Sequence, residues 1–115
     1  MKYLFLLYAD ETGFPPQESP EAQAIFAAYG AFYEEVAAGG LIQAGDPVDG
    51  SATAKTVVVR EGETAVTEGP AKPGGEQIIG FYVLDVADDA QAVELAAKIP
   101  AAAHGRVEAR PIRVM

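Results

Sequence analysis

The groups with which this chain could do chemistry are one histidine, seventeen carboxylates and five tyrosines. Histidine is the side-chain type whose ordinary titration falls near neutrality. His104, in AAAHGRVE, precedes a strand-like segment and reads as a general acid or base on a loop. The carboxylates placed to partner it are Glu76, which leads into an apolar run, and Asp10, which ends another. Tyr8, Tyr29 and Tyr82 each join an apolar ring to a polar tip, a composition suited to a pocket wall. Arg110 and Arg113 on the last segment could hold a carboxylate ligand. Each residue has a structural alternative. His104 could anchor its loop, Glu76 could be a solvated strand start, the tyrosines could be packing, and the arginines could be solvated cations at an interface rim.

Other chemistries find no support in the residues. There is no cysteine, which removes a disulfide framework, a thiolate metal site and a cysteine nucleophile together. A single histidine among scattered acids lacks the spacing of a zinc or di-iron site, so no metal and no cofactor is expected. No glycine-rich phosphate loop joins a strand to a helix, and Gly74-Gly75 reads as a flexible connection. Eight basic residues against seventeen acidic ones give a net charge of −9. That field has the wrong sign for nucleic acid or for an anionic membrane surface. The start, MKYLFLLYADE, has an apolar run of seven residues from Tyr3 to Ala9 before it meets Asp10 and Glu11. It lacks the cleavage pattern of a signal peptide. No stretch approaches the ~20 apolar residues of a membrane span. The expected location is the cytoplasm.

The elements that must position these groups are legible. A chain of 115 residues suits one domain, 1–115. Residues 2–8 (KYLFLLY) predict a strand, followed by a Gly-Phe-Pro-Pro loop. Ser19-Pro20-Glu21 combines an N-cap, a first-turn proline and an acid at the positive end of the dipole. Ala22, Ile25, Phe26, Tyr29, Phe32, Tyr33 and Val36 recur at three and four, predicting a helix with this face in the core, stopped by Gly39-Gly40. Residues 41–48 predict a short strand interrupted by Gly45-Asp46-Pro47. Residues 56–59 and 64–67 predict a hairpin about Glu61-Gly62. A strand over 78–86, a helix over 88–98 capped by Asp88 and Gln91, and a last strand over 106–114 complete the order. The second helix is expected to bury Ala90, Val93, Ala96 and Ala97, and to end at Pro100. Setting the hairpin aside as an insertion leaves βαββαβ, an α+β ferredoxin-like fold with an antiparallel sheet.

In that fold both helices cover one face of the sheet, and the other face should be polar if wetted. The two central strands are apolar on both sides. Leu4, Leu6 and Tyr8 oppose Tyr3, Phe5 and Leu7, and Ile78, Tyr82 and Leu84 oppose Ile79, Phe81 and Val83. The last strand keeps Arg106, Glu108 and Arg110 on one face. An apolar centre with a charged rim is the anatomy of an interface or a pocket. The expected partner is a second copy of the chain in a two-fold dimer; the alternative is that the hairpin and the loop at 9–18 fold over this face.

Several segments taken together carry a resemblance. MKYLFLLYADE, AAYGAFYEEVAAGG, the TEGP turn, EQIIGFYVLDV and AAKIPAAAHGRVEARPI resemble the YCII-related proteins, over Met1 to Ile112. They come nearest to the subgroup named for its Asp-Gly-Pro-Phe motif. The resemblance implies a homodimer of the dimeric α+β barrel group, whose functions are mostly unknown. It also implies, through members fused to sigma-factor domains, a link to transcription initiation. Fold relatives include lactone dehalogenases and small monooxygenases. The motif stands here as Glu68-Gly69-Pro70-Ala71, with Lys72-Pro73-Gly74-Gly75 in place of the usual polar run. The histidine that YCII-like members carry in the first helix falls on Ala28, and their aspartate falls near Ile99-Pro100. His104-Gly105 matches the subgroup's own His-Gly.

Two functions follow. One is a homodimeric module that binds a small molecule, or a partner such as a sigma factor, in an apolar cleft. The other is a cofactor-free enzyme doing proton transfer on a small carbonyl or lactone compound, with His104 as acid/base and Glu76 or Asp10 beside it. The missing helix-one histidine favours the module.

Overall fold

Strand β1 (Lys2–Ala9) alternates in burial as its sequence alternates in shape. Tyr3, Phe5, Leu7 and Ala9 are buried, while Leu4, Leu6 and Tyr8 are half-buried on the other side. The computed structural model describes residues 1–115. Helix α1 (Pro20–Ala38) follows, then β2 (Ile42–Pro47), β3 (Lys55–Arg60), β4 (Glu63–Glu68), β5 (Gln77–Asp85), α2 (Asp89–Lys98), α3 (Ala101–His104) and β6 (Arg106–Pro111). Single 3-10 turns at Glu11–Gly13 and Ser51–Thr53 punctuate the loops.

The four-stranded sheet has the order β2-β5-β1-β6, antiparallel at every pairing, with β5 and β1 in the centre. With β3 and β4 set apart as their own two-stranded sheet, this is the ferredoxin-like arrangement. The core lies between one face of the sheet and the helices. Phe5, Leu84, Ile99 and Val36 are its most deeply buried large side chains. Each such side chain contributes roughly 1.5–3 kcal/mol by leaving water.

The helix signals act as their chemistry requires. Ser19 Oγ accepts from the Ala22 N–H at 3.1 Å. Asp88 Oδ1 accepts from the Gln91 N–H at 2.8 Å, and Gln91 Oε1 accepts from the Ala87 N–H at 2.7 Å. Gly39 closes α1 and Gly40 turns left-handed at φ 68°. The β3–β4 turn has Glu61 at φ 51° and Gly62 at φ 80°, the left-handed pair of a primed hairpin turn.

Other expectations are corrected. Helix α2 buries Ala92 and Leu95, continuing to Ile99, and leaves Val93 68% exposed. Leucine and isoleucine bury more apolar area than the expected alanine stripe, so they set the helix's rotation. Helix α2 ends at Lys98 ahead of Pro100 as expected, but one further turn, α3, follows and carries His104 on its last residue rather than on a loop. β6 stops at Pro111 rather than 114. Gly45-Asp46-Pro47 stays within β2, and the irregularity falls between Ile42 and Ala44. In β5, Leu7 faces Gly80 and Tyr8 faces Ile78, which makes Ile79 an extra residue. That bulge returns Ile79 to the core side and sends Ile78 to the face opposite Tyr82.

Candidate functional site

Helix α1 buries only part of its apolar face. Ala22, Phe32 and Val36 are buried, whereas Phe26 is 63% and Tyr33 52% exposed. The expected seven-residue core stripe therefore divides: those three pack, and Ile25, Phe26, Tyr29 and Tyr33 line a cleft. The cleft has a volume of about 1320 Å³. Its other walls are the end of β1 with the loop after it, the end of β2, the start of β5, and α3.

Two glycines make this geometry. Tyr82 lies across β2 with its ring 5.2 Å from that of Phe32. A Cβ on Gly45, its cross-strand partner, would sit 2.5 Å from Tyr82 Cδ1, so the ring occupies the space a side chain would take. A Cβ on Gly105 would sit 2.0 Å from the Tyr8 carbonyl oxygen. Glycine there lets α3 close onto the end of β1 and brings His104 to the cleft that Asp10 also lines. A latch holds the outer rim: the Glu11 carboxylate accepts from the Ser51 N–H at 2.7 Å and from the Ser51 hydroxyl.

Of the eight residues singled out in the sequence, Arg113 lies beyond the end of β6 and the other seven separate onto two sides of the sheet. Asp10, Tyr29, Tyr82 and His104 line the cleft. Tyr8 and Arg110 stand on the opposite face, paired in register with Arg106 and Leu4. Glu76 binds Arg106 at 3.1 Å, and Arg110 binds Glu108. Of the two carboxylates considered as partners for His104, Glu76 is thus engaged outside the cleft. Asp10 Oδ1 accepts from the Thr12 N–H at 3.0 Å and hydroxyl at 2.7 Å. Those two bonds, the hydroxyl's first, hold the Asp10 carboxyl below its usual range, which keeps it ionised and a weak base. Burial raises Tyr29 above the ordinary phenol value, as does neighbouring Tyr82, against a smaller opposing pull from the Ala101 N–H. Burial also raises Tyr82. The floor is therefore two neutral phenols that can donate hydrogen bonds to a ligand's oxygen or receive an apolar group on their faces.

Sequence reasoning missed Phe14 at the lip, 50% exposed, and the Glu11–Ser51 latch. Phe14 had a signal, being an aromatic in a Gly-Phe-Pro-Pro loop with no strand or helix to pack it. The latch joins residues forty apart and had none.

The groups that could hold a metal do not cluster: no three carboxylate or histidine side chains converge. No helix is long and apolar enough to cross a membrane. A family model, that of the YCII-related domain, matches residues 1–115. No curated protein matches the chain.

Proposed function

The chain belongs to the YCII-related family over its whole length, and from that premise we propose that it is a small-molecule-binding module that works as a homodimer. The observation that carries the reading is the aromatic-floored cleft of about 1320 Å³ beneath α1. Ligand sites are concave and mostly apolar with a few converging polar groups. Within the family we assign the chain to the Asp-Gly-Pro-Phe subgroup. Gly69 sits at φ 115°, where a side chain is strained, and Gly105 is held by its close approach to Tyr8, so both motif glycines have a conformational reason. Glu68 in that motif pairs with Lys55 at 2.7 Å and closes the hairpin base. In this reading a transcription partner such as a sigma-factor domain senses the liganded dimer.

An enzyme that moves a proton with His104 is the second reading, because His104 lines the same cleft. The engagement of Asp10 by Thr12 and of Glu76 by Arg106 weighs against it.

Thermal unfolding with a panel of small apolar compounds separates the two. A ligand at a hundred times its Kd stabilises by about 2.7 kcal/mol, which raises Tm by about 10 °C in a domain this small. Gly30 lines the cleft, and a Cβ there meets nothing within 4 Å. Gly30→Leu should fold and lose the shift, while His104→Ala should keep it. An undiminished shift in Gly30→Leu would place binding elsewhere. Turnover of a bound compound that vanishes in His104→Ala would establish the enzyme.

A further inference from the structure

We propose that the cleft selects an organic ammonium cation bearing aromatic or alkyl groups over a neutral or carboxylate-bearing molecule of the same shape. This deepens the reading of the cleft as a ligand site and rests on it.

Charge at the cleft is one-sided. Asp10, Glu11, Glu21 and Asp46 line it, and no lysine or arginine does. The structural roles of the acids leave their charge in place. Asp10 is bonded to Thr12 and Glu11 to Ser51, both neutral partners. Several acids elsewhere are compensated: Glu35 pairs with Lys98, Glu68 with Lys55, Glu76 with Arg106 and Glu108 with Arg110. None of the cleft's carboxylates has such a cation. A net charge of −9 over the whole chain adds to the field that gathers cations there.

The walls supply the second half of the recognition. Phe14, Phe26, Tyr29, Tyr33, Phe81 and Tyr82 line the cleft, six of the chain's ten phenylalanines and tyrosines. Aromatic faces carry negative quadrupole density and attract an ammonium group, most strongly where water is excluded. Phe14, Phe26 and Tyr33 are each at least half exposed at the mouth, so their rings are free to receive a guest. An apolar cation satisfies both features at once. A carboxylate meets repulsion from four acids, and a neutral guest forgoes the attraction. Arg110, the natural carboxylate holder, lies across the sheet.

The test titrates the full-length protein with three molecules sharing a benzyl group on a quaternary centre. They are benzyltrimethylammonium, 2,2-dimethyl-3-phenylpropan-1-ol and 2,2-dimethyl-3-phenylpropanoate. Amide and aromatic NMR shifts at Gly30, Tyr82 and Ala101 locate binding and give Kd. The cation should bind about two- to thirtyfold tighter than the alcohol, and the carboxylate weakest. The preference should shrink with added salt and in Glu21→Gln and Phe26→Leu, both exposed positions that leave the fold intact. Equal or tighter binding of the alcohol or the carboxylate in the cleft overturns the ligand class and leaves the cleft as a site. Silence of the cleft resonances toward all three, in a folded protein, overturns both.

Discussion

Tyr82 is fixed by three elements at once: its own strand, the bare backbone of Gly45 on β2, and Phe32 on α1. Its phenol and that of Tyr29 are pushed above the ordinary value of 10.0 by burial. Tyr3 is raised too, first by its hydrogen bond to Asp89. A raised value means that the folded chain holds the proton more tightly than the unfolded chain. The associated stability is whole below pH 10 and is lost as pH rises through the folded values. We expect an absorbance titration of phenolate to show these three tyrosines ionising late, together with the collapse of near-ultraviolet circular dichroism. Ionisation of all five at the ordinary value with the fold intact would remove the burial argument. Below pH 10 these phenols should leave stability insensitive to pH.

Helix α1 illustrates a conflict between an element's own stability and what it is for. A glycine inside a helix is less favourable than alanine by roughly 0.5–1 kcal/mol, and Gly30 sits mid-helix with open space where its side chain would be. Packing does not require it. It does line the cleft, where a side chain would take up room that a ligand could use. Gly30→Ala should therefore raise unfolding free energy by about 0.5–1 kcal/mol while weakening ligand binding. A stabilised variant that binds unchanged would show that the glycine serves nothing in the cleft. Gly105 is the opposite case. It abuts the Tyr8 carbonyl, so its lack of a side chain is a packing necessity.

At the scale of the molecule, the chain is a slab of 47 × 43 × 18 Å with a radius of gyration of 16.0 Å, against about 13 Å for a compact chain of this length. Two features explain the excess. One face of the sheet is uncovered, with Leu4, Leu6, Phe81 and Val83 only half-buried. The β3–β4 ribbon forms no ladder with the main sheet and leaves Val57, Val59 and Val66 each more than half exposed. A lone two-stranded ribbon is marginally stable in water. A second copy packed on the open face, with the ribbon as an arm against it, would cover both. Sedimentation should give twice the 12.0 kDa chain mass. Leu6→Lys should give a folded monomer, and removal of residues 55–68 should raise the dimer's Kd. A wild-type monomer at micromolar concentration would defeat the proposal.

How far these features were legible depended on the distance over which their causes act. Caps, the Glu61-Gly62 turn, strand alternation and the central position of β1 and β5 are written in neighbouring residues, because local sterics and burial periodicity act within a few positions. The net charge of −9 is a sum over the chain and is equally visible. The division of Asp10, Tyr29, Tyr82 and His104 from Tyr8, Glu76 and Arg110 was decided by the tertiary structure. So were the division of α1's apolar stripe between core and cleft, the rotation of α2 toward Leu95 and the bulge at Ile79. Each depends on which groups compete for the same space. One side chain can be a core residue or a cleft wall with no change in its neighbours along the chain, and only packing distinguishes the two.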